Sequence, residues 1–138
     1  MKDKFFLDTN TIVYEFSRNH EKKEKSKKLI KEAHLKNGII SFQVIQEFLN
    51  VSTKTFEIPM NIEHLKEYVD KVLYPICEVF PSKDLYINSL EIKERWKFSF
   101  YDSLIIAAAL EANCKVLFSE DLQHNQKING LTIINPFL

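Results

Sequence analysis

Short apolar runs alternate along this chain with longer segments in which apolar residues recur at helical spacing. The short runs predict buried strands at residues 5–7, 39–40, 76–80, 115–118 and 131–134. Because helical segments separate these strands, the strands are expected to pair in parallel. The pattern therefore predicts an α/β fold, with a central, mostly parallel sheet of about five short strands flanked by helices.

The segment from residue 21 to residue 36 shows the clearest amphipathic pattern. Leu29, Ile30 and Ala33 follow helical spacing, while lysines occupy most of the other positions. Gly38 is expected to end this helix, since glycine is favoured just after a helix C-terminus.

Short polar residues stand where helix N-caps are expected, namely Asn10 or Thr11, Ser41 and Ser82. The segment 101–112 is apolar nearly all round, which indicates a buried helix. Helices are therefore predicted up to Phe16 and at 21–36, 42–53, about 62–73, about 83–95 and 101–112.

The composition limits the classes of function. With 138 residues, 45% of them hydrophobic, and with no repeat or linker, the chain is expected to form a single domain over residues 1–138. Its 19 basic and 19 acidic residues balance. No overall positive field would therefore attract a nucleic acid, and any polyanion must be held by a local patch.

Three features bear on the cellular compartment. Cys77 and Cys114 are isolated in apolar surroundings, which fits a reducing environment. The first apolar run ends at Asp8 and is too short for a secretory signal, and no run reaches transmembrane length. We expect a cytoplasmic protein with no membrane contact.

Two carboxylates follow predicted strands directly. Asp8 comes after Phe5-Phe6-Leu7, and Asp121 follows the strand at 115–118 after Ser119 and Glu120. The carboxyl ends of parallel strands are where open α/β sheets bind their ligands. Asp8 and Asp121 are therefore candidates for one site.

Two further carboxylates border the predicted core. Glu47 lies at the edge of the apolar arc of its helix, and Asp102 begins the most apolar helix. Acids gathered without arginine or lysine repel one another, and a hard divalent cation is the usual remedy. The four histidines are dispersed, so Mg²⁺ or Mn²⁺ is favoured over zinc.

Each acid also has an ordinary interpretation. Asp8 could be a turn residue, Asp102 a plain N-cap, Glu47 a boundary residue, and Asp121 or Glu120 a loop acid. If these ordinary interpretations held, the positions of two acids at strand ends and of two acids at core-flanking helix positions would all be coincidences. The joint pattern therefore favours a single site formed by the four acids.

The segments "FFLDTNTIVY", "SFQVIQEFLNV", "FYDSLIIAAALEANCKVLFSEDLQH" and "INPF" resemble, in order and spacing, those of PIN domains. Among PIN domains, they are similar to the VapC-type toxins of toxin–antitoxin pairs. The resemblance implies a parallel sheet flanked by helices and a metal pocket that cuts RNA. By matching segments, the catalytic and metal-binding acids would be Asp8, Glu47, Asp102 and Asp121, supported by Asn10 and Ser119.

The resemblance also implies an activity, a cofactor and partners. The protein would be an endoribonuclease dependent on Mg²⁺ or Mn²⁺, inhibited by a cognate antitoxin protein, and a homodimer. Glu120 lies beside Asp121, and Asp121 is preferred as the fourth acid. For the RNA substrate, Arg18, Lys22 and Lys25 are candidate phosphate contacts. A solvated surface is the alternative there, because Glu21 and Lys25 are spaced as an i,i+4 pair.

Two alternatives remain open for the function. The chain could be a catalytically silent PIN-like module that binds RNA or a protein. It could also be a phosphatase similar to the haloacid dehalogenases, but those enzymes need a second aspartate two residues after the first, where this chain has Asn10.

Overall fold

A computed structural model describes residues 3–54 and 60–138. Its strands are β1 (Phe5–Leu7), β2 (Gly38–Ser41), β3 (Cys77–Val79), β4 (Val116–Phe118), β5 (Lys127–Ile128) and β6 (Leu131–Ile134). Within the described residues they form one six-stranded sheet in the order β3-β2-β1-β4-β6-β5. All neighbouring strands are parallel except the antiparallel pair β5 and β6. The predicted α/β class with a mostly parallel sheet is confirmed.

The helices follow most of the strands along the chain. They are α1 (Thr9–Val13), α2 (His20–Leu35), α3 (Phe42–Lys54), α4 (Ile62–Tyr68), α5 (Lys83–Trp96) and α6 (Phe100–Glu111). A 3-10 turn extends α1 to Phe16, and a π turn extends α4 to Leu73. None of these described helices combines the length and the apolar character needed to cross a bilayer.

Strand β1 lies in the interior of the sheet, with β2 and β3 on one side and β4, β6 and β5 on the other. Phe5, Phe6 and Leu7 are fully buried, as expected for a parallel strand covered on both faces. The chain continues from β1 to β2 on one side, whereas β4 pairs with β1 on the other side. Such a reversal of strand order opens a crevice at the carboxyl ends of the two strands. The residues that follow β1 and β4 are therefore brought together.

Helix α6 forms the apolar centre of one layer. Seven consecutive residues, from Ser103 to Ala109, are buried, which agrees with the prediction of a buried helix. Ser99 caps α6, because its hydroxyl accepts a hydrogen bond from the backbone N–H of Asp102. Asp102 therefore lies in the first turn and is not the N-cap.

Two of the predicted caps are wrong. Asp8, rather than Asn10 or Thr11, caps α1, since its carboxylate accepts a hydrogen bond from the backbone N–H of Thr9. The hydroxyl of Ser41 has no hydrogen-bond partner among the described residues, and so it does not cap α3. Ser82 caps α5 as predicted.

Gly38 is needed for close packing and does not end the helix before it. Helix α2 ends at Leu35, and Gly38 is the first residue of β2. A Cβ atom at Gly38 would lie 2.3 Å from the Cβ of Ala33, so any larger residue would push α2 away from the sheet.

Strand β5 was not predicted. It pairs with β6 through a two-residue turn at Asn129 and Gly130, which have φ angles of 50° and 89°. Adjacent asparagine and glycine residues favour such a turn because both tolerate positive φ.

Candidate active site

Asp8 lies where the carboxyl ends of β1 and β4 meet. Its backbone N–H donates to the carbonyl of Phe118 at 3.0 Å, which joins the two strand ends. Its carboxylate accepts hydrogen bonds from the backbone N–H of Thr9 at 2.7 Å and from the Ser119 hydroxyl at 2.8 Å. The residue is only 9% exposed. Asp8 is therefore a buried acid whose hydrogen-bond donors are both neutral.

A cavity of about 260 Å³ opens beside Asp8. It is lined by all four predicted acids, together with Thr9, Asn10 and Gln43. No lysine, arginine or histidine of the described chain lines it. We call it the acidic cavity, and its acids are Asp8, Glu47, Asp102 and Asp121.

These acids reach the acidic cavity from separate elements of the fold. Asp8 follows β1, Glu47 projects from α3, Asp102 lies in the first turn of α6, and Asp121 follows β4. Because β1 and β4 are neighbours and both helices lie beside their carboxyl ends, residues far apart in sequence converge there. A larger cavity, of about 340 Å³, lies between α5 and α6, but its charged lining mixes Glu91 and Glu111 with Arg95.

The electrostatics of the acidic cavity are unfavourable for ionised carboxylates. Burial raises the pKa of Asp8 to about 6; the hydrogen bonds from Ser119 and Thr9 oppose this rise, and the charges of Glu47 and Asp121 add to it. Partial burial also raises the pKa of Asp121, as do the charges of Glu120, Asp102 and Glu47. The acids therefore repel one another, and no basic side chain of the described residues lines the cavity to compensate their charge.

Neutral side chains orient two of the remaining acids. The Thr9 hydroxyl donates to Oε1 of Glu47 at 2.5 Å, and Nε2 of Gln43 donates to Oε2 of Glu47 at 3.2 Å. Nδ2 of Asn10 donates to Oδ2 of Asp121 at 2.8 Å. These bonds fix the carboxylates in place but leave their charges intact.

Glu120, the neighbour of Asp121, lies in a different environment. It accepts a hydrogen bond from Nζ of Lys22 at 2.8 Å and another from the Tyr14 hydroxyl. Lys22 also lies 4.5 Å from the centre of the Tyr14 ring. Although partial burial acts the other way, the hydrogen bonds from Lys22 and Tyr14 lower the pKa of Glu120. We call Tyr14, Lys22 and Glu120 the Lys22 cluster.

The predicted phosphate contacts lie outside the acidic cavity. Lys22 belongs to the Lys22 cluster, and Lys25 pairs with Glu21 at 3.3 Å. Arg18 is exposed on the segment before α2. RNA contact by these three residues stays a prediction. For Lys25, the structure contains the surface ion pair with Glu21 that was the alternative to RNA contact.

The donor chemistry of the acidic cavity fits a hard divalent cation. All the available groups are oxygen donors, and a bound cation would offset both the burial of the Asp8 carboxylate and its repulsion by Glu47 and Asp121, which together raise the pKa of Asp8. Among the residues that the structure describes, however, no three acidic, histidine or cysteine side chains lie close enough to enclose an ion. Enclosing one would require the acidic side chains to move closer together.

Sequence reasoning missed Gln43. It lies one helical turn before Glu47, is only 3% exposed, and donates a hydrogen bond to that acid. The available signal was the i,i+4 spacing of a polar amide and an acid on the same helix.

Comparison with known proteins finds one matching family model and several solved structures with a similar fold. A family model described as "PIN domain" matches residues 5–128. A search of curated proteins finds no match. Among solved structures, a toxin–antitoxin complex from Klebsiella pneumoniae is 20% identical with a TM-score of 0.69, over 96% of this chain and 98% of that one.

Two further solved structures share the fold. VapBC2 from Rickettsia felis, bound to a DNA fragment from its promoter, is 18% identical with a TM-score of 0.64, over 94% of this chain and 96% of that one. The Mycobacterium tuberculosis toxin VapC20, described as cleaving the sarcin–ricin loop, is 14% identical with a TM-score of 0.62, over 86% of this chain and 90% of that one. At these identities the likeness shows the fold.

Proposed function

The chain belongs to the PIN-domain family, and from that premise we propose that it is a metal-dependent endoribonuclease acting at the acidic cavity. The observation that carries the proposal is the convergence of Asp8, Glu47, Asp102 and Asp121 on one cavity without a basic residue in its described lining. Acids held together at a cost in repulsion are typical of a site whose charge is completed by a cation.

The side chains take distinct roles in this proposal. Asp8, Asp102 and Asp121 would hold a Mg²⁺ or Mn²⁺ ion, and Glu47 would complete that site or help to hold a second ion. Such an ion supplies a more acidic water and positive charge for the scissile phosphate. Ser119 orients Asp8, as Asn10 orients Asp121, through the hydrogen bonds described above. Oriented acids lose less freedom when they bind an ion.

The RNA phosphates that flank the scissile one would be held outside the acidic cavity. Arg18 is the exposed candidate for a phosphate contact, whereas Lys22 would first have to leave Glu120. Contacts of this kind position the substrate without reading its sequence, and they weaken as salt rises.

The biological role proposed is that of the toxin in a toxin–antitoxin pair. The support is the shared fold of this chain with toxin–antitoxin complexes and with a toxin described as cleaving the sarcin–ricin loop. The partners in this proposal are a cognate antitoxin that covers the acidic cavity and a second copy of the chain.

The proposal is tested with the purified protein and a defined RNA in Mg²⁺, in Mn²⁺ and in EDTA. We expect cleavage that needs the ion, leaves 5′-phosphate ends detectable by ligation, and is lost in Asp8→Asn. The matched control is Glu94→Gln, which neutralises an exposed acid on α5 and should cleave normally. Cleavage that persists in EDTA or in Asp8→Asn would contradict the proposal.

Two outcomes of the same test would support the alternatives. RNA that is retained in a gel-shift experiment but stays uncut with either ion would favour a silent binding module. Hydrolysis of small phosphate esters without RNA cleavage would favour a phosphatase, although Asn10 occupies the position of the second aspartate and donates to Asp121.

A further inference from the structure

Gln43 connects two of the acids that line the acidic cavity. It lies in the first turn of α3, and its side-chain Nε2 donates both to Oε2 of Glu47 at 3.2 Å and to the backbone carbonyl of Tyr101 at 3.1 Å. Tyr101 directly precedes Asp102 in α6. One amide group therefore joins the carboxylate of Glu47 to the backbone that carries Asp102.

The orientation of this amide is set by its surroundings. Both groups that it contacts, a carboxylate and a carbonyl, are hydrogen-bond acceptors, so the amide nitrogen must face them. The amide oxygen, Oε1, is then buried without a hydrogen-bond partner among the described residues. A buried acceptor without a partner destabilises the fold, and an apolar residue of similar size would avoid this cost. Glutamine therefore brings a buried, unpartnered oxygen into the fold together with the two hydrogen bonds that its nitrogen donates.

Glu47 is held from its other side as well. Its Oε1 accepts a hydrogen bond from the hydroxyl of Thr9, the residue that follows Asp8. Both oxygens of Glu47 are thus fixed by neutral donors, one next to Asp8 and one bound to the backbone next to Asp102. This arrangement sets the plane of the carboxylate relative to two other acids while leaving its charge intact.

We propose that Gln43 is a positioning residue of the acidic cavity, which fixes the carboxylate of Glu47 relative to Asp102 and so prepares both for divalent-ion binding. This inference rests on the proposed function. A role limited to joining α3 and α6 would need only the bond to Tyr101. The second bond, to Glu47, is what a role in the site requires.

The test substitutes Gln43→Met, which keeps the length and volume but removes both donors and the buried oxygen. Mn²⁺ affinity is measured by calorimetry without RNA, and kcat and KM are measured with RNA. We expect Mn²⁺ affinity and kcat to fall by about 10- to 100-fold, as for other groups that orient metal ligands, with KM for RNA nearly unchanged. The matched control is Gln46→Met, an exposed glutamine on the same helix, which should behave as the wild type.

A double-mutant cycle separates positioning from general stability. If Gln43 acts through Glu47, then Gln43→Met should weaken Mn²⁺ binding little further in a Glu47→Gln background. Additive losses, or wild-type Mn²⁺ affinity in Gln43→Met, would overturn the inference. If Gln43→Met does not fold, Gln43→Leu takes its place, because it also lacks the amide donor and adds no charge to the acidic cavity.

Failure of the inference can be told apart from failure of the proposed function. If the wild type binds Mn²⁺ but does not cleave RNA, the proposed function fails, and the difference in Mn²⁺ affinity between Gln43→Met and Gln46→Met still decides the role of Gln43. If the wild type cleaves RNA and Gln43→Met does so equally well, only the inference is lost.

Discussion

The acidic cavity and the Lys22 cluster meet at one peptide bond, between Glu120 and Asp121. Asp121 lines the acidic cavity, where partial burial and the charges of Glu120, Asp102 and Glu47 raise its pKa. Glu120 pairs with Lys22 and Tyr14, and these partners lower its pKa against the effect of burial. Two adjacent acids can therefore have opposite effects. An acid whose charge is compensated by a partner stabilises the fold, whereas an acid whose charge is not compensated destabilises the fold and is available to bind a ligand.

The largest expected difference between the two regions is in activity. Asp121→Asn should lower the rate of RNA cleavage by at least about 10³-fold, because ion-dependent stabilisation of the transition state is worth several kcal/mol. Glu120→Gln, one residue away, should stay within about tenfold of the wild type, since Glu120 acts on the loop and not on the ion. Single-turnover rates in Mg²⁺ measure both. Equal losses in the two variants would remove the distinction.

The next effect is on stability and concerns Asp8. Its pKa rises from 3.8 when unfolded to about 6 when folded. The folded protein therefore binds the proton more tightly, and its stability falls as pH rises from about 3.8 to about 6 and stays low above that. Two pKa units correspond to about 3 kcal/mol. In EDTA near pH 7.5, Asp8→Asn should raise the free energy of unfolding by up to that amount.

Urea unfolding of the wild type and Asp8→Asn between pH 3.5 and about 8 measures this difference. The gap should shrink towards zero near the low end of the range, and Mn²⁺ should narrow it at neutral pH by stabilising only the wild type. Asp70→Asn, an exposed acid outside both regions, is the control and should change stability by less than about 0.5 kcal/mol. An Asp8→Asn variant less stable than the wild type at pH 7.5 would contradict this account.

The Lys22 cluster should show the opposite dependence on pH. The pKa of Glu120 is lowered in the fold, so its contribution is present above its unfolded value of 4.5 and is lost as pH falls through the folded value. Glu120→Gln should lower the free energy of unfolding at pH 7 by about 1–2 kcal/mol, given a partly buried ion pair. The loss should be smaller in high salt. If Glu120→Gln instead raised the free energy of unfolding, the attraction between Lys22 and Glu120 would be too weak to offset the cost of burying the two charges.

The smallest effect is expected at Lys25. Its ion pair with Glu21 is on the surface and follows i,i+4 spacing, so Lys25→Ala should change the free energy of unfolding by no more than about 0.5 kcal/mol. If Lys25 also contacts RNA phosphates, the same variant should raise KM for RNA and make binding less sensitive to salt. An unchanged KM would exclude an RNA contact by Lys25 and leave only its surface ion pair with Glu21.

The arrangement of the fold was largely predictable because it depends on local patterns. The apolar run at Phe5–Leu7 and the buried helix α6 each follow from hydrophobicity alone. The candidate acids could be named because two of them follow parallel strands, and the carboxyl ends of such strands meet. Their placement around one cavity, by contrast, depends on how α3 and α6 pack against the sheet.

What the sequence did not reveal depends on contacts between distant segments. Glutamine is common in helices, so the residue type does not distinguish Gln43 from an ordinary helix residue. Only the packing of α6 beside α3 brings the backbone carbonyl of Tyr101 to the Gln43 amide. The separation of Glu120 from Asp121 likewise requires Lys22 and Tyr14, about a hundred residues earlier. Strand β5 was missed because its two residues are too few to show a period.

The most direct test of the central claim is the dependence of RNA cleavage on Mn²⁺ concentration, measured side by side for the wild type, Asp121→Asn and Glu120→Gln. If Asp121 holds the ion and Glu120 does not, cleavage should be saturable and Mn²⁺-dependent in the wild type and in Glu120→Gln, and Asp121→Asn should show no ion-dependent cleavage. Cleavage by the wild type in EDTA, or the same Mn²⁺ dependence in Asp121→Asn as in the wild type, would contradict it.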